Sequence, residues 1–379
     1  MKGDKNIRFT ITRLLFVISG LVLLLLFFLH FFLLPYQDNK RNAVLESGPY
    51  VVPDKIRTFH NNAFVADLHA DPLLWGRNLR KRHKRGHIDL PRLLDGGVDL
   101  QVFGVVTKVP RSRNYDNTTG DTDTLPLLFI ASWRPPSTWF NLKARALVQA
   151  KELRHLAQNS SLSLVLSRGD LVTDGPKGLL SLEGMHALGG HEEVLMELHS
   201  AGFRMMGLAH HFDNEVAGSA HGVEKYGLTE LGRKLVPRME ALGITIDLAH
   251  ASPAAIGDVL SLATNPVVVS HGGVQGTCPG QRNLSDKQLR SIANNGGVIG
   301  IGFWEAAICN TSVKGIVEAI LYAIKVAGID HVGLGSDFDG NVEVPFDVTG
   351  LPMLTESLLE AGLSDDDVHK VLGEMCDAC

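Results

Sequence analysis

The segment ITIDLAHASP, residues 244–253, contains the transition on which the fold assignment depends. An apolar, partly β-branched run ends at His250, and Ser252 with Pro253 then forms a helix start, with serine as N-cap and proline in the first turn. A metal-type ligand therefore lies at a strand-to-helix turn. In a parallel β/α barrel, such turns surround the active-site mouth.

The same arrangement recurs at four other places in the chain. Apolar, strand-like runs end on His, Asp or Glu in ADLHAD (66–71), SLEG (181–184), VVSH (268–271) and GSDFDG (335–340). One such ending carries little information, but five of them favour a metallohydrolase built on parallel strands.

Apolar runs bounded by turn residues number eight, and most are separated by stretches with helical apolar spacing. The predicted strands are 64–69, 98–107, 178–183, 203–210, 244–250, 267–271, 297–303 and 331–337, and the predicted helices include 140–156, 191–199, 229–242, 253–262, 286–292 and 313–327. This alternation predicts an α/β fold with a parallel sheet, a (β/α)8 TIM barrel. A doubly wound open sheet is also compatible with the alternation. Ligands on six of the strands favour the closed barrel, because only closure brings them together.

The N-terminal segment is different in kind. Leu14 to Leu34 is an uncharged apolar run long enough to cross a bilayer as a helix, and four basic residues precede it. The positive-inside rule then predicts a cytoplasmic N-terminus and a catalytic domain on the exported, periplasmic or extracellular, side. No small-x-small cleavage pattern follows, which favours a retained signal anchor over a cleaved signal peptide. The predicted organisation is a cytoplasmic stub and transmembrane helix at 1–34, a polar linker at 35–55 and the barrel at 56–379. A long loop over the barrel mouth is expected at 110–136.

Charge and cysteine usage exclude some classes of function. The formal net charge is −5 over 379 residues, and the one basic cluster, 80–85, is typical of a solvated loop, so nucleic acid is not expected as a partner. Four cysteines without regular spacing predict no disulfide framework. We assign no function to the pair Cys376 and Cys379.

Several of the strand-end residues are suited to a metal site. His69 and Asp71 lie two apart in an extended segment, so both side chains can reach one ion. Glu183 would be a costly buried charge unless it is paired, and bridging two cations would remove that cost. His250 and His271 end neighbouring strands and favour the same chemistry. Taken singly, each has an alternative explanation: a hydrogen-bonded pair, a partner for a buried Arg or His, or a structural histidine.

Three further residues are candidates for substrate binding and proton transfer. Of the adjacent His210 and His211, strand register favours His210 as the one that faces the barrel axis, where it could stabilise an oxyanion. Asp337 follows the last strand and could carry a proton. Arg282, just beyond the His271 strand, could bind a substrate carboxylate through its planar guanidinium, although a surface arginine explains it equally well.

Together, DLHADP, LEG, IDLAH, SHG, QRN and GLGSDFDG resemble the membrane dipeptidase (renal dipeptidase) family, peptidase family M19, over about residues 58–373. The resemblance implies a metal-dependent-hydrolase barrel with two zinc ions and hydrolysis of free dipeptides by a hydroxide that bridges the ions. It implies that His69 and Asp71 bind one zinc, that His250 and His271 bind the other, and that Glu183 bridges them. His210 would bind substrate and stabilise the tetrahedral intermediate, Arg282 would hold the dipeptide carboxylate, and Asp337 would move the proton. Members of the family often form homodimers.

Two departures from the family pattern lead to further expectations. The N-terminal anchor differs from the C-terminal lipid of the animal enzymes and indicates a bacterial-type member. The family usually continues from LeuGly into GlyAsn and a final helix, whereas VLGEMCDAC at 371–379 departs from this, so we expect a shortened C-terminus. The rival functions are another binuclear amidohydrolase, such as an N-acyl-amino-acid deacylase, and a membrane-tethered binding protein without activity.

Overall fold

A closed barrel of eight parallel strands forms the body of the computed structural model, which describes residues 2–374 and the side chains from Phe9 onward. The strands are β1 (Ala66–Ala70), β2 (Leu100–Val106), β3 (Ser163–Leu164), β4 (Lys177–Glu183), β5 (Phe203–Gly207), β6 (Thr245–Asp247), β7 (Val268–Gly272), β8 (Val298–Ile301) and β9 (Val332–Leu334). Their order is β2-β1-β9-β8-β7-β6-β5-β4, and β2 pairs with β4 to close the ring. The barrel prediction is confirmed, and the open sheet is wrong.

The sequence did not predict β3. This strand has two residues, pairs with the start of β4 on the outside of the barrel and takes no part in closure. Cys376 and Cys379 lie outside the described residues. The predicted shortening of the C-terminus, at 371–379, lies partly outside them.

Fourteen α-helices are present in the described part of the chain. They are α1 (Lys2–Phe28), α2 (Leu34–Arg41), α3 (Asp54–Asn62), α4 (Leu90–Asp95), α5 (Leu125–Ala131), α6 (Leu142–Gln158), α7 (Val194–Ser200), α8 (Glu230–Ala241), α9 (Pro253–Leu262), α10 (Asp286–Asn294), α11 (Glu305–Ile308), α12 (Val313–Ala327), α13 (Leu351–Glu360) and α14 (Asp365–Leu372). A π-helical turn, Leu29–Leu33, joins α1 to α2 without a break.

Local sequence explains where these helices begin. Ser252 is the N-cap of α9, and its hydroxyl accepts a hydrogen bond from Ala255 N at 3.0 Å, as the Ser-x-x pattern with Pro253 predicts. The predicted loop at 110–136 contains α5, which the sequence analysis missed. Its sequence, LPLLFIA, has no polar face, so helical periodicity is invisible in it.

Side chains from strands all round the barrel fill its interior. Leu68, Val102, Met205, Val268 and Val298 come from five different strands and form one buried cluster, which only the inside of a closed sheet permits. This cluster of apolar side chains fills the lower part of the barrel interior. The polar residues at the carboxyl ends of the strands then form its upper layer.

The N-terminal helix is the one candidate membrane span found among the described residues, and it runs through Phe9–Arg41 with its most apolar window only 6% buried. Residues 35–55, predicted as a linker, are not simply extended. Leu34–Arg41 is helical, and Val44 bridges to Val344 beside the barrel mouth.

One disulfide, between Cys278 and Cys309, joins the loop after β7 to the end of α11. The sequence analysis did not predict this pairing, because the two residues are 31 positions apart and belong to no spacing pattern.

Candidate metal centre

All the predicted ligand residues lie at the carboxyl ends of barrel strands. His69 and His271 are within β1 and β7, Glu183 is the last residue of β4, and Asp71 and His250 follow β1 and β6. Each is almost completely buried. Parallel closure therefore brings five residues, far apart in sequence, to one place at the mouth.

The carboxylate of Glu183 lies at the centre of this group. Its Oε1 is 3.0 Å from His250 Nε2, 3.6 Å from His271 Nε2 and 3.7 Å from His69 Nε2. Glu183 belongs to two sets of possible metal ligands. Within each set, the ligand atoms lie within 4.8 Å of one another. The first set is His69, Asp71 and Glu183, and the second is Glu183, His250 and His271.

Two residues of the first set have donor atoms without hydrogen-bond partners among the described residues. Both ring nitrogens of His69 and Oδ1 of Asp71 are buried without a hydrogen bond. Buried polar atoms are almost always satisfied, so atoms that converge without partners are what a cation site requires. Imidazole nitrogens with carboxylate oxygens are ligands that zinc accepts. The residues therefore fit a metal.

Gly104 of β2 leaves space for this set. A Cβ at this position would be 2.2 Å from Asp71 Oδ1 and 2.8 Å from His69 Cε1, far inside contact distance. Sequence analysis missed this residue, although a glycine within an apolar strand is a signal of close approach.

The electrostatics of the site are dominated by burial and by like charges. Burial alone would lower the pKa of His69, but the carboxylates of Asp71, Glu183 and Asp337 raise it to about 10. Burial raises the pKa of Asp337 to about 7, with Asp71 adding to the rise and His69 opposing it. Burial likewise raises the pKa of Glu183. The carboxylates around His69 thus favour a positive charge at this position.

The second set is oriented by hydrogen bonds from neighbouring side chains. His271 Nδ1 is 2.9 Å from Ser270 Oγ, and the Ser270 hydroxyl donates to Asp247 Oδ2 at 2.6 Å. Because the Ser270 hydroxyl donates its hydrogen bond to Asp247, Ser270 Oγ can accept one from His271 Nδ1–H. The Nε2 atom of His271 then keeps its lone pair to bind a cation.

His250 is supported in a similar way. Its Nδ1 lies 3.1 Å from Nε2 of His221, a buried histidine in the loop after β5. Burial lowers the pKa of His250 and of His271, so both are neutral, as ligation requires. Sequence analysis missed His221, Ser270 and Asp247. His221 ends no apolar run and gave no signal.

His210 and His211 both border the cavity above the centre, and their rings stack at 3.9 Å. His210 is the more buried and has Nε2 at 3.4 Å from Glu183 Oε2, whereas His211 Nε2 lies 2.9 Å from Arg113 Nη1. The structure thus brings His210 close to Glu183, while a ring nitrogen of His211 contacts Arg113 and lies within 4.8 Å of ring nitrogens of His210 and His250.

Arg282 is only 6% exposed and lies at the cavity wall beside the second set, where its Nη2 donates to the carbonyl oxygen of His271 at 2.7 Å. It is therefore not a surface arginine. The cavity has a volume of about 320 Å³, and Asp71, Glu183, His250 and Asp337 are at its floor.

Asp337 and Asp339, two residues apart, have different surroundings. Asp337 Oδ1 is 4.0 Å from His69 Nε2. Asp339 is fully buried, forms an ion pair with Arg77 and accepts a hydrogen bond from His87 N at 2.7 Å. Burial would raise the pKa of Asp339, but Arg77 and His87 hold it below its usual range. Asp339 is thus a structural carboxylate.

The turn around these residues has left-handed backbone at non-glycine positions, whereas Gly340 within it does not have a positive φ. Positive φ values occur at Asp337 (60°), Asp339 (64°) and Asn341 (63°), and also at His250 (62°). Gly340 is needed instead for space, since a Cβ there would be 1.9 Å from Asp337 Oδ1. Left-handed backbone at non-glycine residues is strained and clusters at functional sites.

The family to which these features point is identified by comparison with known proteins. Residues 54–375 match the membrane dipeptidase family, peptidase family M19. The chain belongs to the membrane dipeptidase family. It is therefore a dipeptide hydrolase, and the prediction made from the sequence motifs is confirmed.

Curated relatives and solved structures agree with this assignment. Dipeptidase tcpJ of Claviceps purpurea is 30% identical over 300 residues, which cover 76% of this chain and 67% of that protein. Dipeptidase aclJ of Aspergillus oryzae is 30% identical over 332 residues, which cover 82% and 75%. A metallo peptidase from Rhodobacter sphaeroides, liganded with a phosphinate mimic of the dipeptide L-Ala-D-Ala, has a TM-score of 0.67 and 25% identity, covering 83% of this chain and 97% of that one.

A further structure supports the fold alone. The probable dipeptidase PvdM from Pseudomonas aeruginosa has a TM-score of 0.73 at 20% identity, covering 86% of this chain and 98% of that one. The membrane dipeptidase family is a metallopeptidase family, so a metal is implied, and the cluster around Glu183 is where the chain offers ligands.

Proposed function

We propose that this chain is a membrane-tethered dipeptidase whose two zinc ions are held at the barrel mouth and bridged by Glu183. The observation that carries the proposal is the position of the Glu183 carboxylate between two ligand sets that share it. In the proposal, His69 and Asp71 hold one ion, and His250 and His271 hold the other. A single-ion site would not need five converging ligands.

Two divalent cations bound there would acidify a water molecule and polarise the scissile carbonyl. The protein contributes orientation and proton handling. Asp337 borders the cavity with its Oδ1 4.0 Å from His69 Nε2, and its carboxylate can accept a proton and release it to the leaving amine.

Substrate recognition is assigned to His210 and Arg282. Burial lowers the pKa of His210, so a neutral imidazole borders the cavity and can donate one hydrogen bond to an oxyanion. Arg282 keeps part of its guanidinium free beyond the hydrogen bond to His271, and this part can bind the C-terminal carboxylate of a dipeptide. The pairing of carboxylate with guanidinium would favour free dipeptides over blocked ones.

The test is hydrolysis of a substrate panel by the full chain in detergent, first stripped of metal and then supplied with zinc. The panel includes L-Ala-D-Ala, because the Rhodobacter sphaeroides relative binds a mimic of it, and N-acetyl amino acids, which an N-acyl-amino-acid deacylase would cleave. Zinc-dependent cleavage of free dipeptides alone is the expected result. Cleavage of acetylated amino acids alone would favour the deacylase, and no cleavage by folded, zinc-loaded protein would favour a binding protein.

The proposed role of Arg282 in binding the substrate carboxylate is tested with the variants Arg282→Lys and Arg282→Ala. If Arg282 binds the substrate carboxylate, both variants raise KM for dipeptides, and the alanine variant does so more strongly, because lysine keeps the charge without the planar fork. An exposed arginine of the barrel exterior, Arg290, provides the matched control as Arg290→Ala. Equal KM values in all three proteins would remove Arg282 from the substrate site.

We further propose that the N-terminal helix is a retained anchor with the catalytic domain on the exported side. The basic residues before the apolar run support this orientation, and the Cys278–Cys309 disulfide fits an oxidising compartment. Protease protection of a tag at each terminus, in sealed vesicles of known orientation, tests the topology. The homodimer expected of the family stays a prediction, which mass photometry of detergent-solubilised protein can check.

A further inference from the structure

The outer end of the N-terminal helix is firmly attached to the barrel mouth. The ring of His30 stacks on Trp133 at 3.9 Å, and its Nδ1 is 2.9 Å from the carbonyl oxygen of Ala131. Leu29 and Leu34 are buried against Ala131. The helix is thus packed on the segment around α5, beside the cavity.

One turn farther on, a buried carboxylate fixes α2 in place. Asp38 is completely buried, with Arg85 Nε at 2.7 Å, Asn42 Nδ2 at 2.9 Å and Arg77 Nη1 at 3.8 Å. Arg77 also pairs with Asp339, two residues beyond Asp337. Moving this buried carboxylate away from its partners would leave it unpaired at a high cost, so Asp38 holds α2 in one position.

This attachment makes the helix part of the cavity wall. Leu33, Leu34, Gln37 and Arg41 line the same cavity as Glu183 and Asp337. Their spacing places them on one face of the helix. On the other face, Phe32, Tyr36 and Lys40 are exposed and do not border the cavity.

The wall that includes these residues is mostly apolar. Leu33 and Leu34 line the cavity together with Leu74, Val109, Leu125 and Leu128, and Arg41 is the charged residue on the same face of the helix. A free dipeptide presents charged ends and one or two side chains. Its charged and reacting groups match the floor, so an apolar side chain is what remains to meet this wall.

We propose that the outer end of the membrane anchor is a specificity-determining part of the substrate site, with Leu33 and Gln37 forming the wall that receives an apolar side chain of the dipeptide. This inference rests on the proposed function. It makes the anchor more than a tether, because the helix that fixes the protein in the bilayer also completes the catalytic cavity.

The test compares variants of the full chain, zinc-loaded in nanodiscs, on Gly-Leu, Leu-Gly and Gly-Gly. The measured quantity is the kcat/KM of each leucine peptide divided by that of Gly-Gly. Leu33→Ala should lower the ratio for one leucine peptide about tenfold, the effect of a few lost methylenes in an apolar pocket. Gln37→Leu should raise the same ratio, a change of direction that misfolding cannot produce.

Matched controls come from the outer face of the same helix. Phe32→Ala and Lys40→Leu make equivalent changes at exposed positions and should leave both ratios within twofold of the unaltered chain. If Leu33→Ala and Gln37→Leu behave like these controls, the inference is overturned. Hydrolysis of the three peptides by the unaltered chain tests the proposed function separately, because that rate does not depend on the comparison between variants.

Discussion

At the scale of single residues, the candidate metal centre depends on two kinds of residue. The first kind is a glycine that leaves room for the ligand side chains, and the second is a side chain whose atoms can bind a cation. Gly104 contributes space, since nothing larger than hydrogen fits beside Asp71 and His69. His69 contributes two ring nitrogens that have no hydrogen bond within the described part of the chain. Sequence reasoning finds the second kind of residue, because a ligand at a strand end is visible as a motif. It overlooks the first kind.

Gly104→Ala should remove the ion held by His69 and Asp71. The new Cβ would overlap Asp71 Oδ1, so the carboxylate must turn away from the site. We expect elemental analysis to show about one equivalent less bound metal per chain. Because the reaction needs this cation, we expect kcat/KM for dipeptide hydrolysis to fall about a hundredfold. Gly257→Ala, on α9 with open space around its Cβ position, is the control. Unchanged metal content in Gly104→Ala would refute the assignment.

Metal binding should release protons and strengthen as pH rises. In the metal-free protein the neighbouring carboxylates, acting against burial, raise the pKa of His69 to about 10, so the ring is protonated at neutral pH and must lose its proton to bind a cation. Below that pKa, each pH unit gained should increase the affinity about tenfold from this residue alone. Calorimetry of zinc binding in buffers of different ionisation enthalpy at pH 6 to 8 measures the protons released. No proton release would contradict the assignment of His69.

At the scale of elements, four of the barrel strands deliver the candidate ligands, and neighbouring elements orient some of them. β7 carries both His271 and Ser270, and Asp247 at the end of β6 accepts the serine hydroxyl. The eight strands of the barrel and the helices α9 and α12 could be predicted from the sequence, since their apolar periodicity and caps are local. The helix α5 could not, because it is apolar all round. The link from His271 to Asp247 also could not, because it depends on which strands become neighbours.

Ser270→Ala should weaken the ion held by His271 without removing it. The variant deletes the group that accepts from His271 Nδ1, and loss of such orienting partners typically costs 10- to 100-fold in metal affinity. Competition with a chromophoric chelator measures this affinity, and Ser261→Ala, at an exposed serine of α9, is the matched control. An affinity equal to that of the control would show that the hydrogen bond does not orient the ligand.

At the scale of the whole molecule, closure of the barrel brings like charges together. Asp71, Glu183 and Asp337 are all buried within reach of His69, and their mutual repulsion opposes folding when no cation is bound. The fold and the motif residues followed from the sequence. The contact between the anchor helix and the barrel mouth did not, since no local pattern records which surface a helix end will meet.

Removal of metal should lower the thermal stability of the catalytic domain. An ion that binds only the folded state, at a free concentration about a thousand times its Kd, stabilises that state by about 4 kcal/mol. For a domain of this size, this corresponds to an increase in Tm of roughly 5–10 °C. Differential scanning calorimetry with chelator and with restored zinc measures the shift. The Glu183→Gln variant, which keeps the shape but lacks the bridging charge, should show a much smaller shift. An equal shift in the variant would remove Glu183 from the centre.

The decisive measurement is a zinc titration of the metal-stripped full chain, with bound zinc and dipeptide hydrolysis recorded at each addition. We expect hydrolysis to rise to a plateau at two bound ions per chain, and both quantities to fall in Glu183→Gln, because Glu183 belongs to both ligand sets. Full hydrolysis without bound metal, or unaltered zinc binding in Glu183→Gln, would contradict a binuclear centre bridged by this carboxylate.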